Sequence, residues 1–376
     1  MDPVTASPDL VDLSRALASL CGVEGLPMRA ETRVLAESVG AHDHLVLALL
    51  DGAGLNLVER LSPKGFFRRH LSGALDTVFL SSTAPALTSL YTGEYPARHA
   101  VPAWWTHLPS IATTATILPF VERFEGGPLP IAPQDVFPVA PLFPRYQRDF
   151  CSFLPASICE SVYSRHVRGG TPAIPYRSLR TAVDGILDQV RSSRPTFSYL
   201  YHSDVDTAEH VHGWRSDEAR EALQIAEREL ERLQGKARLI VTADHGHMDV
   251  EDFDKILLPP DDPLLRWLRC PPSGEPRVPM FHVRPGCETE FESEFARRFG
   301  KAFRLVSVAR FDADRCFGPD PLVPEMRNRI GDYAALADDP RIFLYGPPRY
   351  HRHEALFRGW HGGRTPDEVR IPLIVS

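Results

Sequence analysis

FSYLYHSDVDTAEHVHGWRSDEAREALQIAERELERLQGKARLIVTADHG, residues 197–246, carries two short apolar runs on either side of an amphipathic stretch. FSYLY (197–201) and RLIVT (238–242) are unbroken runs rather than alternating ones, the pattern of strands buried on both faces of a parallel sheet. Between them Ser216 is placed as an N-cap, Ala219, Leu223, Ala226, Leu230 and Leu233 repeat on one helical face, and Gly235 is placed to end the helix. Strand, helix and strand in that order form a crossover unit, which predicts an α/β fold.

Working outward, LVLALL (45–50), TVFL (77–80) and IPLIVS (371–376) read as further buried strands. The expectation is one α/β domain over residues 1–376, with a mostly parallel central sheet and helices on both faces. Residues 101–178 and 250–350 are rich in Pro and break any regular period, so both are read as long insertions over one edge of the sheet, forming a lid or a binding surface. Leu10, Leu13, Leu17 and Leu20 repeat at helical spacing near the start of the chain.

Composition narrows the function. An apolar fraction of 43% over 376 residues suffices for a large core. The net charge of -7 argues against a groove that tracks a nucleic-acid backbone, though not against a local site for a small anion. No apolar stretch approaches the roughly 20 residues needed to span a bilayer, and the N-terminal residues do not read as a secretory signal. Six scattered cysteines without a CxxC pair suit buried thiols, and the expected location is cytoplasmic.

In open α/β sheets, ligands bind beyond the carboxyl ends of the strands. LVLALL runs into Asp51, TVFL leads to Thr83, FSYLY precedes Asp206 and His210, and RLIVT precedes Asp244 and His245. Taken singly, each is an ordinary turn, cap or loop residue. Taken together, they deliver oxygen and nitrogen donors to one edge, a set suited to zinc or a similar divalent ion. Asp206 and His210 are four residues apart and would converge if a helical turn joins them. Pro85 is tolerated in a first helical turn, which puts Thr83 at a helix N-terminus where an anion is favoured. A hydroxyl there, beside a divalent cation, is a nucleophile for phosphorus.

The segment STAPALTSLYTGEYPARHAV (82–101) resembles the nucleophile segment of the type I phosphodiesterase/nucleotide pyrophosphatase family, within the alkaline phosphatase superfamily. Asp51-Gly52, Asp206 to His210, Asp244-His245-Gly246 and a late His361-Gly362 follow the order of that family's motifs. The resemblance implies Thr83 as nucleophile and a two-zinc site. One ion would be held by Asp51, Asp244, His245 and the Thr83 oxygen, and a second by Asp206, His210 and His361. It implies a small anionic phosphate ester as substrate and a phosphothreonine intermediate. His361 enters only through the resemblance.

Two positions depart from the pattern. Ala86 stands where many members have an Asn that helps hold a phosphate oxygen, and Ala100 where Gly is usual. A phosphomonoesterase or phosphonate hydrolase of the same superfamily is therefore an alternative, as is a catalytically silent metal-binding module. Trp104, Trp105 and Tyr95 are candidates for an aromatic wall, with ordinary packing the stronger reading. His212 and His247 are candidate supporting or solvated histidines, and Arg98 and Arg364 are read first as surface charges.

Overall fold

A computed structural model describes residues 7–346 and 356–376. Its central sheet runs in the order Leu71–Asp76, Arg370–Val375, Arg238–Thr242, His44–Leu50, Thr196–His202, Asp149–Pro155, Ala173–Tyr176. All neighbours in it are parallel except Arg370–Val375, which is antiparallel to both of its partners. The middle strand explains the unbroken apolar runs: Leu45 through Leu50 are all buried, so side chains on both faces are covered. The fold is α/β with a mostly parallel sheet and helices on both faces.

The helices follow from local chemistry. Helix Asp217–Glu231 begins at Ser216, whose hydroxyl accepts from the Ala219 N–H, and it buries Ala219, Leu223, Ala226 and Leu230 in the core. It ends at Glu231, so Gly235 lies in the turn beyond it. Helix Leu10–Leu20 is closed by a capping box between Asp9 and Asp12 and buries Leu10, Leu13 and Leu17.

Two expectations need correction. Thr77–Leu80 is not a strand; the edge strand is Leu71–Asp76, just before it. LSGALD is half exposed and contains Gly, so it lacks the apolar density that marks the inner strands. Thr77, Val78 and Leu80 are buried all the same, and the Thr77 N–H donates to Val369 O at 2.9 Å just before the last strand.

The two Pro-rich segments are also more regular than expected. Residues 101–178 supply two strands of the central sheet, Asp149–Pro155 and Ala173–Tyr176. The remainder joins the second segment in an antiparallel sheet of order Arg304–Ser307, Tyr333–Leu336, Val278–Phe281, Ser273–Glu275, Trp105–Leu108, Thr113–Thr116, Val121–Glu122. Its strands are two to four residues long, too short for a period to show in sequence. Residues 347–350 of the second segment lie outside the described residues. Among the described residues no helix is long and apolar enough to cross a membrane.

Candidate active site

Asp51 is the first residue beyond strand His44–Leu50, and its N–H donates to His202 O at 2.9 Å at the end of the neighbouring strand. The next turn brings Asp206 N to Asp51 O at 3.1 Å. Gly52 is needed here: its φ is +75°, and a Cβ would stand 2.9 Å from the Asp206 Cα. Two strand-end loops therefore touch backbone to backbone, which places their carboxylates side by side.

Thr83 opens helix Thr83–Thr92. Ser82, at the cap position, does not cap with its side chain but donates to Glu275 Oε1 at 2.6 Å. The Thr83 Oγ1 lies 3.1 Å from His245 Nε2. The same nitrogen is 3.4 Å from Asp51 Oδ1 and 3.6 Å from Asp244 Oδ2. Those two carboxylate oxygens are buried and have no hydrogen-bond partner, while their sister oxygens do: Tyr201 OH donates to Asp51 Oδ2, and the Gly52 and His245 N–H groups donate to Asp244 Oδ1. Orphaned anionic oxygens cost several kcal/mol in a buried site unless a cation meets them. Burial, with Asp244 and Asp206 nearby, pushes the Asp51 carboxyl well above the ordinary range. The donor set Asp51, Asp244, His245 and the Thr83 hydroxyl fits a divalent cation.

Asp206 and His210 share a face of helix Asp204–His212, with His210 Nε2 3.4 Å from Asp206 Oδ1. His361, from the loop before the last strand, stacks on His245 with ring centroids 3.8 Å apart and lies 5.2 Å from the His210 ring. His247 completes the group, its Nε2 2.9 Å from Asp206 Oδ1. Donor atoms of Asp206, His210, His247 and His361 all fall within 4.8 Å of one another. Outer contacts orient the rings: His210 Nδ1 meets Gly359 O at 2.9 Å, and His361 Nδ1 meets Ser81 O at 3.2 Å. Burial alone would raise Asp206, but His210, the hydrogen bond from His247 and His361 outweigh it and hold the carboxylate below its usual range. Burial and the three neighbouring imidazoles push His361 well below the ordinary histidine value.

Both groups border a cavity of about 880 Å³. Thr83, Asp51, Asp206, His210 and His361 line it together with Trp105 and Glu275 of the second sheet and Trp104 and Leu118 from the loops beside its strands. Trp105 is packed, with the Arg123 guanidinium 3.7 Å above its ring, and Tyr95 is buried with its hydroxyl on Asp9. His212, Arg98 and Arg364 are exposed, and none of the three borders the cavity. Ala86 is fully buried in the core. Ala100 holds φ +61°, a left-handed position that accounts for glycine being usual there.

Three residues escaped sequence reasoning. Glu275 Oε1 accepts from Ser82 Oγ and from the Trp104 N–H, each at 2.6 Å, and burial pushes its carboxyl up to about 7. Glu209 is fully buried with neither oxygen hydrogen-bonded, its Oε2 3.6 Å from His247 Nε2, and burial raises it well above its usual range. Tyr201 reaches Asp51 from a strand interior. Only Glu209, inside the DVDTAEH segment, had a sequence signal.

An α/β sheet that gathers carboxylates, imidazoles and a helix-start hydroxyl beyond its strand ends defines a metal-dependent enzyme of the alkaline phosphatase superfamily. The chain belongs to the type I phosphodiesterase/nucleotide pyrophosphatase family, whose sequence profile matches residues 127–363. It is a phosphoric ester hydrolase. The matched stretch contains Asp206, His210, Asp244, His245 and His361, whereas Asp51 and Thr83 precede it. Among solved structures, murine ectonucleotide pyrophosphatase/phosphodiesterase 5 superposes with a TM-score of 0.65 at 16% identity, covering 88% of this chain and 87% of that one. An inactive variant of that mouse protein in complex with AMP gives 0.64 at 16% identity over the same shares. Phosphonoacetate hydrolase from Sinorhizobium meliloti 1021, in complex with phosphonoformate, gives 0.62 at 17% identity, covering 88% and 89%. No curated protein matches the sequence significantly.

Proposed function

We propose that the chain hydrolyses a small anionic phosphate diester, of the nucleotide pyrophosphatase kind, through a phosphothreonine formed on Thr83. The observation that carries this reading is the Thr83 hydroxyl at a helix start, lining a cavity and 3.1 Å from His245 Nε2, the nitrogen that two carboxylate oxygens without hydrogen bonds also approach. Two divalent cations, zinc by the donor set, would be held by Asp51, Asp244, His245 and Thr83 and by Asp206, His210 and His361, and would supply charge neutralisation and an acidified hydroxyl. The Thr83 oxygen bonds to phosphorus as the ester oxygen leaves, and water then cleaves the phosphothreonine to restore the hydroxyl. Tyr201 holds Asp51 in place, and the carbonyls of Gly359 and Ser81 fix the rings of His210 and His361. The N-terminus of helix Thr83–Thr92 favours the anionic group.

Thr83→Ala is expected to leave metal content nearly unchanged and to remove most turnover; full activity in that variant overturns the assignment. A second reading, a phosphonate or monoester hydrolase, is favoured by Ala86, whose buried methyl cannot hold a phosphate oxygen. An activated diester and monoester assayed on the same zinc-loaded protein separate the two. A preference of roughly tenfold, about 1.4 kcal/mol in the transition state, decides between them. Buried free thiols at Cys21, Cys151 and Cys159 fit a reducing compartment, consistent with a cytoplasmic location.

A further inference from the structure

On the second sheet, remote in sequence from the strand-end loops, His107, Cys270 and His282 turn donor atoms toward one point, all within 4.8 Å of one another. Their positions come from three places: strand Trp105–Leu108, the stretch after Leu268, and the residue following strand Val278–Phe281. The His107 and His282 rings stand edge to face with centroids 4.6 Å apart. His107 Nδ1 lies 3.2 Å from Thr114 Oγ1, an outer contact that leaves Nε2 for another partner. His282 is 3% exposed, and its Nε2 is buried with no hydrogen-bond partner. Gly331 makes room for that ring: at φ +85°, a Cβ there would stand 2.9 Å from His282 Cγ. All three side chains border a separate cavity of about 520 Å³.

We infer that His107, Cys270 and His282 form an additional binding site for a thiophilic divalent cation of the zinc class. Two imidazoles and a thiolate are a donor set suited to zinc, and donors about 2.0–2.3 Å from a tetrahedral zinc stand roughly 3.3–3.8 Å apart. From donor atoms within 4.8 Å of one another, binding would draw the trio in to that spacing. The cavity leaves the fourth position to water. Arg269 borders the same space, but its guanidinium is paired with Asp332 at 2.7 Å, so its charge is offset. Binding forms Cys270 Sγ–metal and two imidazole N–metal bonds and releases the thiol proton to solvent. The ion would tie the first Pro-rich segment, through His107, to the second, through Cys270 and His282. It would brace the sheet whose other residues wall the active cavity.

The first-described clusters contain no cysteine, which makes the two kinds of site separable by spectroscopy. Full-length protein stripped of metal and titrated with cobalt(II) is expected to develop a near-ultraviolet thiolate-to-cobalt charge-transfer band. Cys270→Ser should abolish the band and lower bound cobalt by about one equivalent, His282→Gln should do the same, and Cys316→Ser should leave both unchanged. Thr83→Ala should keep the band while losing turnover, which keeps this site distinct from the proposed nucleophile. Absence of the band in the unaltered protein overturns the inference, whether or not the variants fold; so does its persistence in both Cys270→Ser and His282→Gln.

Discussion

Glu275 is a carboxyl group in a cavity proposed to receive an anion. Its Oε1 takes hydrogen bonds from Ser82 and Trp104, yet burial prevails over them and pushes the group up to about 7. Below that value the side chain is neutral and the incoming phosphate meets no opposing charge. Above it, an ionised Glu275 repels the substrate by roughly 1 kcal/mol, about fivefold in affinity. The apparent KM for an anionic ester is therefore expected to rise about threefold between pH 6 and 8, where the group passes from about one-tenth to about nine-tenths ionised. Glu275→Gln keeps an acceptor oxygen for both donors and should flatten that rise; initial-rate kinetics of the two proteins across the range provide the check, and identical profiles refute it. No pattern in SGEP (273–276) marks Glu275, because its role comes from a tertiary contact with Ser82. Asp51, Asp206, Asp244 and His245 were legible for the opposite reason: Asp51 follows directly on an apolar run, and the other three lie within a few residues of the end of one, so the strand ends fix their positions.

The segment from Thr83 to Val101 shows how one element supports another. Helix Thr83–Thr92 is buried along its whole length, and the short helix Pro96–His99 folds back against it. His99 joins them: its Nδ1 accepts from the Val101 N–H at 3.2 Å, so Nε2 carries the proton and donates to Ser89 Oγ at 2.9 Å. That arrangement requires a neutral ring. Burial, with the Arg329 guanidinium also disfavouring a second positive charge, lowers His99 from 6.5 to about 3. In the unfolded chain the same ring takes up a proton as the pH falls through 6.5, whereas the folded protein refuses it until about 3. The unfolded state thus binds more protons across this window, and stability falls with acidification by up to about 1.4 kcal/mol per pH unit from this group. His99→Gln should unfold more easily at pH 7 but show a shallower decline between pH 6.5 and 4 in urea titrations of chelator-treated protein. Parallel declines would mean that His99 is not the group responsible. Hydroxyls and a Pro at the start of this segment revealed the helix in sequence, but the edge strand before it was missed, since LSGALD is neither continuous nor alternating.

At the scale of the whole molecule, a central sheet supplies the ligand-bearing loops and a second sheet walls the cavity, so their junction matters. Arg277, between two strands of the second sheet, is fully buried against Glu368, with Nε to Oε1 at 3.1 Å. Glu368 also accepts from the Gly363 N–H at 2.8 Å and Thr365 Oγ1 at 2.7 Å, fixing the loop that carries His361. Arg277→Met strands a buried carboxylate and is expected to cost about 3–5 kcal/mol, read from denaturant midpoints. This junction was invisible in sequence, because its two halves come from chain segments nearly a hundred residues apart. Trp104, partly buried, is held through its backbone N–H on Glu275 and lines the same cavity as Thr83. If its ring stacks on the leaving group, Trp104→Ala should raise KM about fivefold for esters with an aromatic leaving group, the scale of one aromatic pair. Esters with a methyl leaving group should be unaffected, and kcat should change less than about twofold for both. An equal rise in KM for the two ester classes would instead mean that the second sheet only packs against the site and does not read the substrate.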